Sequence, residues 1–385
     1  MVRLVIGLAF LAYSTLSCDA KISGRVMDGS HGVPLAGVTV TFGQDGPSVT
    51  TNASGDYHFD GVWIGKIMFA KDGYGTVSRS VDLDQASENV VLTLSGKVTY
   101  VCTTADEKGR WQIARTVFDP ETKRSEITFL TDTVRWNFKP NFSPDGSRLT
   151  FFRRYAANGP CCETWLSSIC VMNADGSGLH EIITGSESFN TEPYWARDGS
   201  QRISFNRMNV DDRGPHWNQV DGDPGQEERL APWGWVNPHL ADGRVLVQRG
   251  GKTFLAKPSG DGKAIYSEVK RSDEHFIHKI ALSRDESMIA YQKWVDRDHN
   301  MYKGGVMVFA KFDASIPAIT DEVIFDDLDP TSQAWYVSIS TDNRFLLFAK
   351  DGAIMQYDVS SGMTAKVSAD SDPYKAYPTY TTFSK

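Results

Sequence analysis

Hydrophobic and polar positions alternate in short runs along the chain, and glycine, asparagine or aspartate separates many of these runs. Short runs with a period of two predict β-strands, and the residues between them predict tight turns. Residues 140–152 (PNFSPDGSRLTFF) are the clearest example, since two runs flank an Asp-Gly pair. Asp and Gly tolerate the backbone angles of a tight hairpin, so this stretch predicts a strand, a turn and a second strand.

Weaker copies of this stretch recur through the C-terminal three quarters of the chain. They cover residues 193–205, 238–247, 279–291 and 336–348. The aspartates of the five copies are between about 43 and about 57 residues apart, which is the period of a four-stranded propeller blade. A third and a fourth strand fit between one copy and the next.

The two ends of this region predict one further blade. Residues 97–130 contain three strands with no first strand before them, whereas residues 377–383 (YPTYTTF) look like a first strand with nothing after it. If the last segment completes the first blade, six blades close into a ring and no sheet edge is left open. The pattern therefore predicts an all-β fold with a six-bladed β-propeller over residues 97–385.

The complete repeat at residues 142–146 resembles that of TolB-like six-bladed propellers, whose consensus is an aromatic residue followed by Ser-Pro-Asp-Gly. The resemblance covers roughly residues 97–385 and implies periplasmic protein partners. TolB itself carries an α/β domain before its propeller, and nothing in this chain matches that domain.

Residues 21–96 show a different pattern, with short alternating strands and glycine turns, which predicts a small β-sandwich. This module resembles the carboxypeptidase regulatory-like (prealbumin-like) domain. The matching residues are Gly24, Val26, Asp28 and the segments 34–38, 55–59 and 71–74. The resemblance implies a stabilising or adhesive accessory module rather than a catalyst. The short junction at residues 95–96 predicts that the two domains lie close together.

Residues 1–20 predict an export signal, with a charged start, an apolar run over residues 4–11 and small or polar residues before Cys18. Residues 15–18 resemble a bacterial lipobox, which implies a lipid on Cys18. The alternative is simple cleavage after Ala20. No later stretch approaches 18 apolar residues, so any membrane attachment would depend on that lipid. The expected location is the periplasm, the outer membrane or the extracellular space.

Composition narrows the class of partner. The formal net charge of −8 and the isoelectric point near 5.5 argue against nucleic acid, because duplex binding relies on a basic field.

Export also bears on the four remaining cysteines, which are expected to pair in an oxidising compartment. They are Cys102, Cys161, Cys162 and Cys170. A bond across the hairpin that contains the last three is plausible, with Cys102 as a further partner. Zinc binding is the alternative.

In a propeller, the second-to-third-strand loops and the blade-to-blade connections share one face. These segments are long here, and we call their side of the propeller the loop-rich face; the short first-to-second and third-to-fourth turns form the turn face. The ligand-binding residues predicted for the loop-rich face are Trp136, Trp217, Trp233, Trp235, His275, His278, Asp296, His299 and Trp335. Aromatic platforms among ionisable groups suit a protein or a glycan. The alternative for each tryptophan is that it packs its own blade connection.

Two functions remain open. The first is an envelope binding or scaffold protein without a cofactor, which recognises a protein or a glycan through the loop-rich face. The second is a carbohydrate-active enzyme on the same face, because oligogalacturonate lyases resemble TolB-like propellers and use histidines with a divalent metal. No His-Glu-x-x-His motif and no Gly-x-Ser-x-Gly motif is present. The sequence identifies no catalytic residue.

Overall fold

The computed structural model describes most of the chain after residue 20. The described residues are 21–29, 31–43, 46–61, 64–81, 87–92, 95–132, 134–154, 166–185, 188–208, 213–221, 228–231, 234–259, 263–294, 305–328, 334–340 and 342–380. All regular structure in this part of the chain is β-strand. Over the same ranges, no helix is long and apolar enough to span a membrane.

The N-terminal region forms a sandwich of two sheets. Its strands are β1 (Lys21–Asp28), β2 (Val33–Pro34), β3 (Thr39–Phe42), β4 (Ser48–Thr50), β5 (Asp56–Asp60), β6 (Gly65–Ala70), β7 (Val77–Val81) and β8 (Val90–Leu92). One sheet has the order β2-β1-β5 with β8 parallel to β1, and the other has the order β4-β3-β6-β7. Along β5, Tyr57 and Phe59 are buried while the residues beside them are not. This period of two places one side of the strand in the core between the sheets.

The rest of the described chain forms six four-stranded antiparallel sheets, which are the blades of a propeller. Blades 1 to 3 contain β9 (Val98–Ala105), β10 (Trp111–Asp119), β11 (Arg124–Phe129), β12 (Trp136–Phe142), β13 (Arg148–Arg154), β14 (Ser167–Asn173), β15 (His180–Ile183), β16 (Asn190–Trp195), β17 (Arg202–Arg207), β18 (Gly214–Gln219) and β19 (Glu228–Arg229). Blades 4 and 5 contain β20 (Trp235–His239), β21 (Val245–Arg249), β22 (Lys252–Pro258), β23 (Ala264–Glu268), β24 (Ile277–Leu282), β25 (Met288–Lys293), β26 (Gly305–Asp313) and β27 (Ala318–Leu328). Blade 6 and the closing strand are β28 (Ala334–Ile339), β29 (Phe345–Lys350), β30 (Ala353–Asp358), β31 (Met363–Lys366) and β32 (Lys375–Tyr380).

The last strand closes the ring, because β32 pairs with β9 and becomes the innermost strand of blade 1. Lys375 of this strand is completely buried. Its Nζ lies 2.9 Å from the Asp372 carboxylate and donates to the Thr116 hydroxyl at 3.2 Å. A buried ammonium is costly unless it is paired, and Asp372 supplies the opposite charge. The contact with Thr116 of β10 ties the closing strand to blade 1. The predicted fold class, a small β-sandwich followed by a six-bladed propeller, is confirmed.

Burial along the blades follows the position of each strand. β13 and β29 are buried almost continuously, since second strands lie between neighbouring blades, whereas the outer strand β31 is exposed throughout. Hydrophobic clusters between blades therefore form the propeller core. Strands buried on both sides appear in sequence as continuous apolar runs rather than alternating ones.

The aspartate that recurs in all five copies of the repeat is explained by the structure of the first-to-second-strand turns. In blade 2, Asp145 Oδ1 accepts the Ser147 backbone N–H at 3.1 Å. The same contact, from an aspartate to the N–H two residues later, recurs at Asp198, Asp242, Asp285 and Asp342. The residue after each aspartate has a positive φ, and these residues are Gly146, Gly199, Gly243, Glu286 and Asn343. The turn therefore keeps its conformation even where the repeat has lost its glycine.

Candidate functional site

The structure describes the predicted loop-face residues to different extents. Outside the described residues lie Trp233, Asp296 and His299. Of Trp335 only the backbone is described, near the start of β28. The described side chains are those of Trp136, Trp217, Trp235, His275 and His278.

The three described tryptophans are buried to different depths. Trp217 is 8% exposed and packs against Arg202, whose guanidinium carbon lies 3.6 Å from the ring centroid. Its Nε1 donates to the Glu228 carboxylate at 3.2 Å, and its ring belongs to the core between blades 3 and 4. The packing alternative therefore applies to Trp217. Trp136 and Trp235 are half-buried at the loop-side ends of β12 and β20.

The two histidines before and within β24 have different environments. His275 is exposed, with its Nδ1 at 3.3 Å from Asp273. His278 accepts a hydrogen bond at Nε2 from Trp294 Nε1 at 2.5 Å. Burial, together with the nearby Lys279 ammonium, lowers the pKa of His278 to about 3. Because an indole N–H only donates, His278 is neutral and its Nε2 lone pair is already used.

In the described part of the chain, side chains that could bind a metal do not cluster, and the two described cysteines lie in different hydrophobic clusters. Within the described ranges, no group of three or more His, Cys, Asp or Glu side chains is placed to hold a metal ion. Cys102 and Cys170 are free thiols rather than disulfide partners, since each is completely buried in a different hydrophobic cluster. Burial raises the pKa of Cys102 to about 11 and that of Cys170 to about 12. The other predicted cysteines, Cys18, Cys161 and Cys162, lie outside the described residues.

A different group of residues meets at the centre of the propeller. The innermost strand of every blade has a register shift at the same position of the repeat. We call the residues at this position the axial ring: Tyr377, Lys139, Glu192, Asn237, Lys279 and Tyr336. All except Asn237 have a positive φ, between 52° and 56°. Non-glycine residues adopt this conformation at a cost, so the fold holds five residues of the ring in strained backbone.

Charged and aromatic side chains contact each other around the axial ring. The Glu192 carboxylate lies between two ammonium groups, since it accepts from Lys139 and lies 3.3 Å from Lys279 Nζ. Lys279 also donates to the Tyr336 hydroxyl at 2.6 Å. Lys139 Nζ lies 4.3 Å from the Tyr336 ring centroid, and the rings of Tyr336 and Tyr377 are 4.3 Å apart. When both lysines are protonated, the two lysines and one glutamate give the ring one excess positive charge.

Burial and mutual contact shift the pKa values of the ring. Burial lowers the pKa of Lys139 to about 7; the Glu192 carboxylate opposes this change and the Lys279 ammonium adds to it. The pKa of Glu192 is lowered to about 2 because its two ammonium partners outweigh its burial. Burial raises the pKa of Tyr377 to about 12 and that of Tyr336 well above its usual range. Glu192 is therefore ionised and both tyrosines are protonated at neutral pH.

A cavity of about 390 Å³ lies on the propeller axis, on the turn-face side of the axial ring. The ring forms its floor, because its lining begins at the ring residues and continues along the innermost strands to the turns. The walls include four prolines that directly follow positions of the ring: Pro140, Pro193, Pro238 and Pro378. Proline suits an innermost strand because one edge of that strand is unpaired. Ser143, Arg197 and Arg284 lie at the mouth.

The sandwich contacts the turn face at several points around this mouth. β9 is the second strand of blade 1 and begins at the turn face, so the chain enters the propeller there. Arg284 Nη1 donates to the Asn89 carbonyl at 3.1 Å, and its Nη2 lies 3.3 Å from the Glu88 carboxylate. From blade 1, Arg115 donates to the His31 carbonyl at 2.8 Å. Arg284 thus both lines the cavity and anchors the sandwich.

Close packing accompanies these interdomain hydrogen bonds. Met27 and Val91 are buried outside the sandwich core and line a small cleft with Phe142 of the propeller. Gly32 has a φ of 78°, and a Cβ there would lie 2.5 Å from the Ala174 carbonyl oxygen. Only glycine fits this approach, so the sequence is adapted to the docked arrangement.

The axial ring was missed by reasoning from the sequence, although a signal for it is present. When the copies of the repeat are aligned, the residue before the proline position is Lys139, Glu192, Asn237 or Tyr377. This position varies while its neighbours repeat. Bulky or charged residues at an axis-facing position of a closed ring must meet each other.

The fold defines a two-domain all-β protein, in which a small β-sandwich precedes a six-bladed propeller. Residues 21–95 match the family model of the carboxypeptidase regulatory-like domain. No curated protein matches the chain in sequence.

Solved structures similar to the chain include the following three. TolB from Acinetobacter baumannii is 11% identical with a TM-score of 0.53, over 83% of this chain and 80% of TolB. A chain of a nidogen/laminin complex is 10% identical with a TM-score of 0.50, over 74% of this chain and 98% of that one. Kuenenia stuttgartiensis hydrazine synthase is 14% identical with a TM-score of 0.51, over 74% of this chain and 47% of that one. At these identities the likeness concerns the fold alone.

Proposed function

We propose that the protein is an exported recognition protein of the cell envelope, which binds a protein or a glycan through the loop-rich face of its propeller. The observation that carries this proposal is the position of the sandwich. Arg115 and Arg284 anchor it on the turn face, so the loop-rich face is the side left for a large partner. Long loops on a rigid scaffold are common sites of binding.

The described part of the loop-rich face supports recognition rather than chemistry. His275 is exposed and Trp235 is half-buried, so both can contribute to a binding surface. His278 is neutral and accepts from Trp294, so it is poorly suited to hold a metal. None of these observations favours the metal-assisted enzyme.

Export and partner class rest on sequence and fold. The proposed signal over residues 1–20 and the lipid on Cys18 agree with a propeller that is similar to TolB. A chain of a nidogen/laminin complex is also similar in fold. The sandwich acts in this proposal as an accessory module fixed beside the propeller.

Site-specific photo-crosslinking in the producing organism tests this function. A photoreactive amino acid replaces His275 on the loop-rich face. The matched control replaces Met363, which is 69% exposed on the outer strand β31. We expect a discrete high-mass adduct from position 275 and none from position 363. Equal adducts from both positions, or none from position 275, count against a partner on this face.

A second measurement separates binding from turnover. The purified protein is incubated with a polysaccharide panel, with and without a chelator, and is also applied to a glycan array. The proposal expects no depolymerised product, and expects any glycan binding to persist in the chelator. Product formation that the chelator abolishes would favour the enzyme.

A further inference from the structure

We propose that the axial cavity binds a small organic carboxylate, whose carboxylate group is held by the ammonium groups of Lys139 and Lys279. This site lies on the turn-face side of the axial ring. It is separate from the loop-rich face, so it does not depend on the function proposed above.

Charge is the first argument. Lys139 and Lys279 share a single carboxylate, that of Glu192. Glu286 also lines the cavity, but it lies at the turn-face mouth and accepts the Ala241 backbone N–H there. His239 on the wall adds no charge, because burial lowers its pKa to about 3. Arg197 and Arg284 also lie at the mouth, where Arg284 pairs with Glu88. At the floor two ammonium groups face one carboxylate, so when Lys139 is protonated the floor carries an excess positive charge that a monoanion would neutralise.

Hydrogen-bonding capacity points to the same ligand group. Each lysine ammonium carries three N–H donors. Among the described residues, Lys139 donates only to Glu192, and Lys279 donates to Glu192 and to the Tyr336 hydroxyl. Each ammonium therefore retains at least one donor for a ligand. Two donors side by side suit the two oxygens of a carboxylate.

The cavity also has the size and the walls of a ligand site. Its volume of about 390 Å³ falls within the range of roughly 300–1,000 Å³ typical of small-molecule pockets. Above the charged floor, the wall is largely apolar and includes Pro193, Ile280, Val337 and Pro378. A ligand with an anionic end and a less polar body matches this division.

Backbone strain is an independent observation. Five ring residues with large side chains have positive φ values, although glycine would relieve the strain at each position. Strained backbone conformations cluster at sites of function, because surrounding structure must maintain them. Here the strain brings two ammonium groups to the end of a cavity.

Isothermal titration calorimetry with two matched pairs of probes tests the proposal. The first pair is 3-phenylpropionate and 3-phenylpropionamide, and the second is galacturonate and galactose. We expect at least one carboxylate to bind, and to bind at least about tenfold more tightly than its neutral partner, which corresponds to about 1.4 kcal/mol. Equal binding within both pairs, or no heat from either carboxylate at millimolar concentration, overturns the proposal. Inorganic phosphate is the third probe, and binding of phosphate alone also overturns it.

Two single variants locate the site. Lys139→Met leaves the pair of Glu192 and Lys279, and Lys279→Met leaves the pair of Glu192 and Lys139, so each variant keeps a balanced ring. Both should bind the carboxylate at least about tenfold more weakly while retaining wild-type circular dichroism. Lys311→Met is the control, because this lysine pairs with Asp321 on the exposed surface. Unchanged affinity in either ring variant would place the ligand elsewhere. If one ring variant fails to fold, the other still decides the question.

The dependence of binding on pH gives a further readout. Lys139 faces Glu192, Lys279, Tyr336 and Tyr377. The pKa of Lys139 is lowered to about 7, whereas that of Glu192 is lowered to about 2 and those of the two tyrosines are raised. An anion stabilises the protonated lysine, so binding should take up a proton and weaken as the pH rises from 6 to 8. This slope should vanish in Lys139→Met. A slope that persists in that variant contradicts the assignment of Lys139 as a ligand-binding residue.

Discussion

The axial ring and the loop-rich face belong to the same propeller but are built differently. Each ring residue occupies one repeated position of an innermost strand, where a bulge sets its backbone. The loop-face residues occupy strands near that face and connections whose lengths differ from blade to blade. The ring is therefore fixed by the closure of the fold, whereas the loop-rich face can vary without disturbing it.

This difference separates stability from recognition. In the ring, a change of charge acts on groups that are mostly shielded from water, so it should affect folding as well as binding. On the loop-rich face, exposed side chains such as His275 can change with little effect on folding. Three substitutions or deletions test this contrast, beginning with the most damaging.

Removal of residues 375–385 should have the largest effect. It deletes β32, and with it the Tyr377 side chain and the buried contact of Lys375 with Asp372. Blade 1 is left with an unpaired inner edge, so we expect the propeller to lose cooperative unfolding. The loss should exceed about 5 kcal/mol, the lower end of the stability of a typical domain. Thermal unfolding followed by circular dichroism measures it.

The control deletion removes only residues 381–385, which follow β32. It should shift the melting temperature by no more than a few degrees, because the closing strand remains paired with β9. Similar melting of the two deletions would mean that the ring does not depend on β32.

Glu192→Gln should have the next largest effect. It leaves two ammonium groups near each other with no carboxylate between them, which we expect to cost about 3 kcal/mol in urea unfolding at pH 7. The pKa of Glu192 is lowered to about 2, so its contribution is complete above about pH 4.5 and declines as the pH falls toward 2. The difference between wild type and variant should narrow over that acidic window.

The matched control is Glu268→Gln, which breaks an exposed ion pair with Lys252. Its cost should be below about 0.5 kcal/mol. Equal costs for the two substitutions would show that Glu192 is no more important than a surface carboxylate.

His278→Ala and His275→Ala form the third comparison. Loss of His278 leaves the Trp294 indole N–H without its acceptor and should cost about 2 kcal/mol, whereas loss of the exposed His275 should cost less than about 0.5 kcal/mol. Because the pKa of His278 is lowered to about 3, its neutral form stabilises the fold fully above about pH 6.5. That contribution is lost as the pH falls from there toward 3. Urea unfolding at pH 7 and pH 5 checks both the costs and this sign.

Much of the scaffold could be predicted from the sequence, because the repeat follows from local turn chemistry. The aspartate of each turn accepts a nearby N–H, and the next residue requires a positive φ. Even so, Glu286 and Asn343 occupy that position without glycine, so the copies at residues 279–291 and 336–348 are weak. Ring closure was predicted because three strands without a first strand begin the repeat region and a single first strand ends it.

The axial site could not be predicted in the same way. Lys139, Glu192 and Lys279 lie in different blades, and only closure of the ring brings them together. Aromatic content drew attention instead to the loop-rich face, where Trp217 proved to be a packing residue between blades. Cys102 and Cys170 were expected to form disulfide bonds because of export, but the packing of the blades buries them as free thiols in separate clusters.

Hydrogen–deuterium exchange of the peptide that covers residues 375–380 tests the central claim most directly, since ring closure and the axial site both depend on β32. Thr379 lies opposite Val101, and Lys375 lies opposite Thr104, in the register with β9. The amides of β32 that face β9 should exchange as slowly as those of β9 itself, with protection that is lost only on global unfolding. Exchange of the whole peptide within seconds, as in an unstructured chain, would contradict the closed ring and the binding site at its centre.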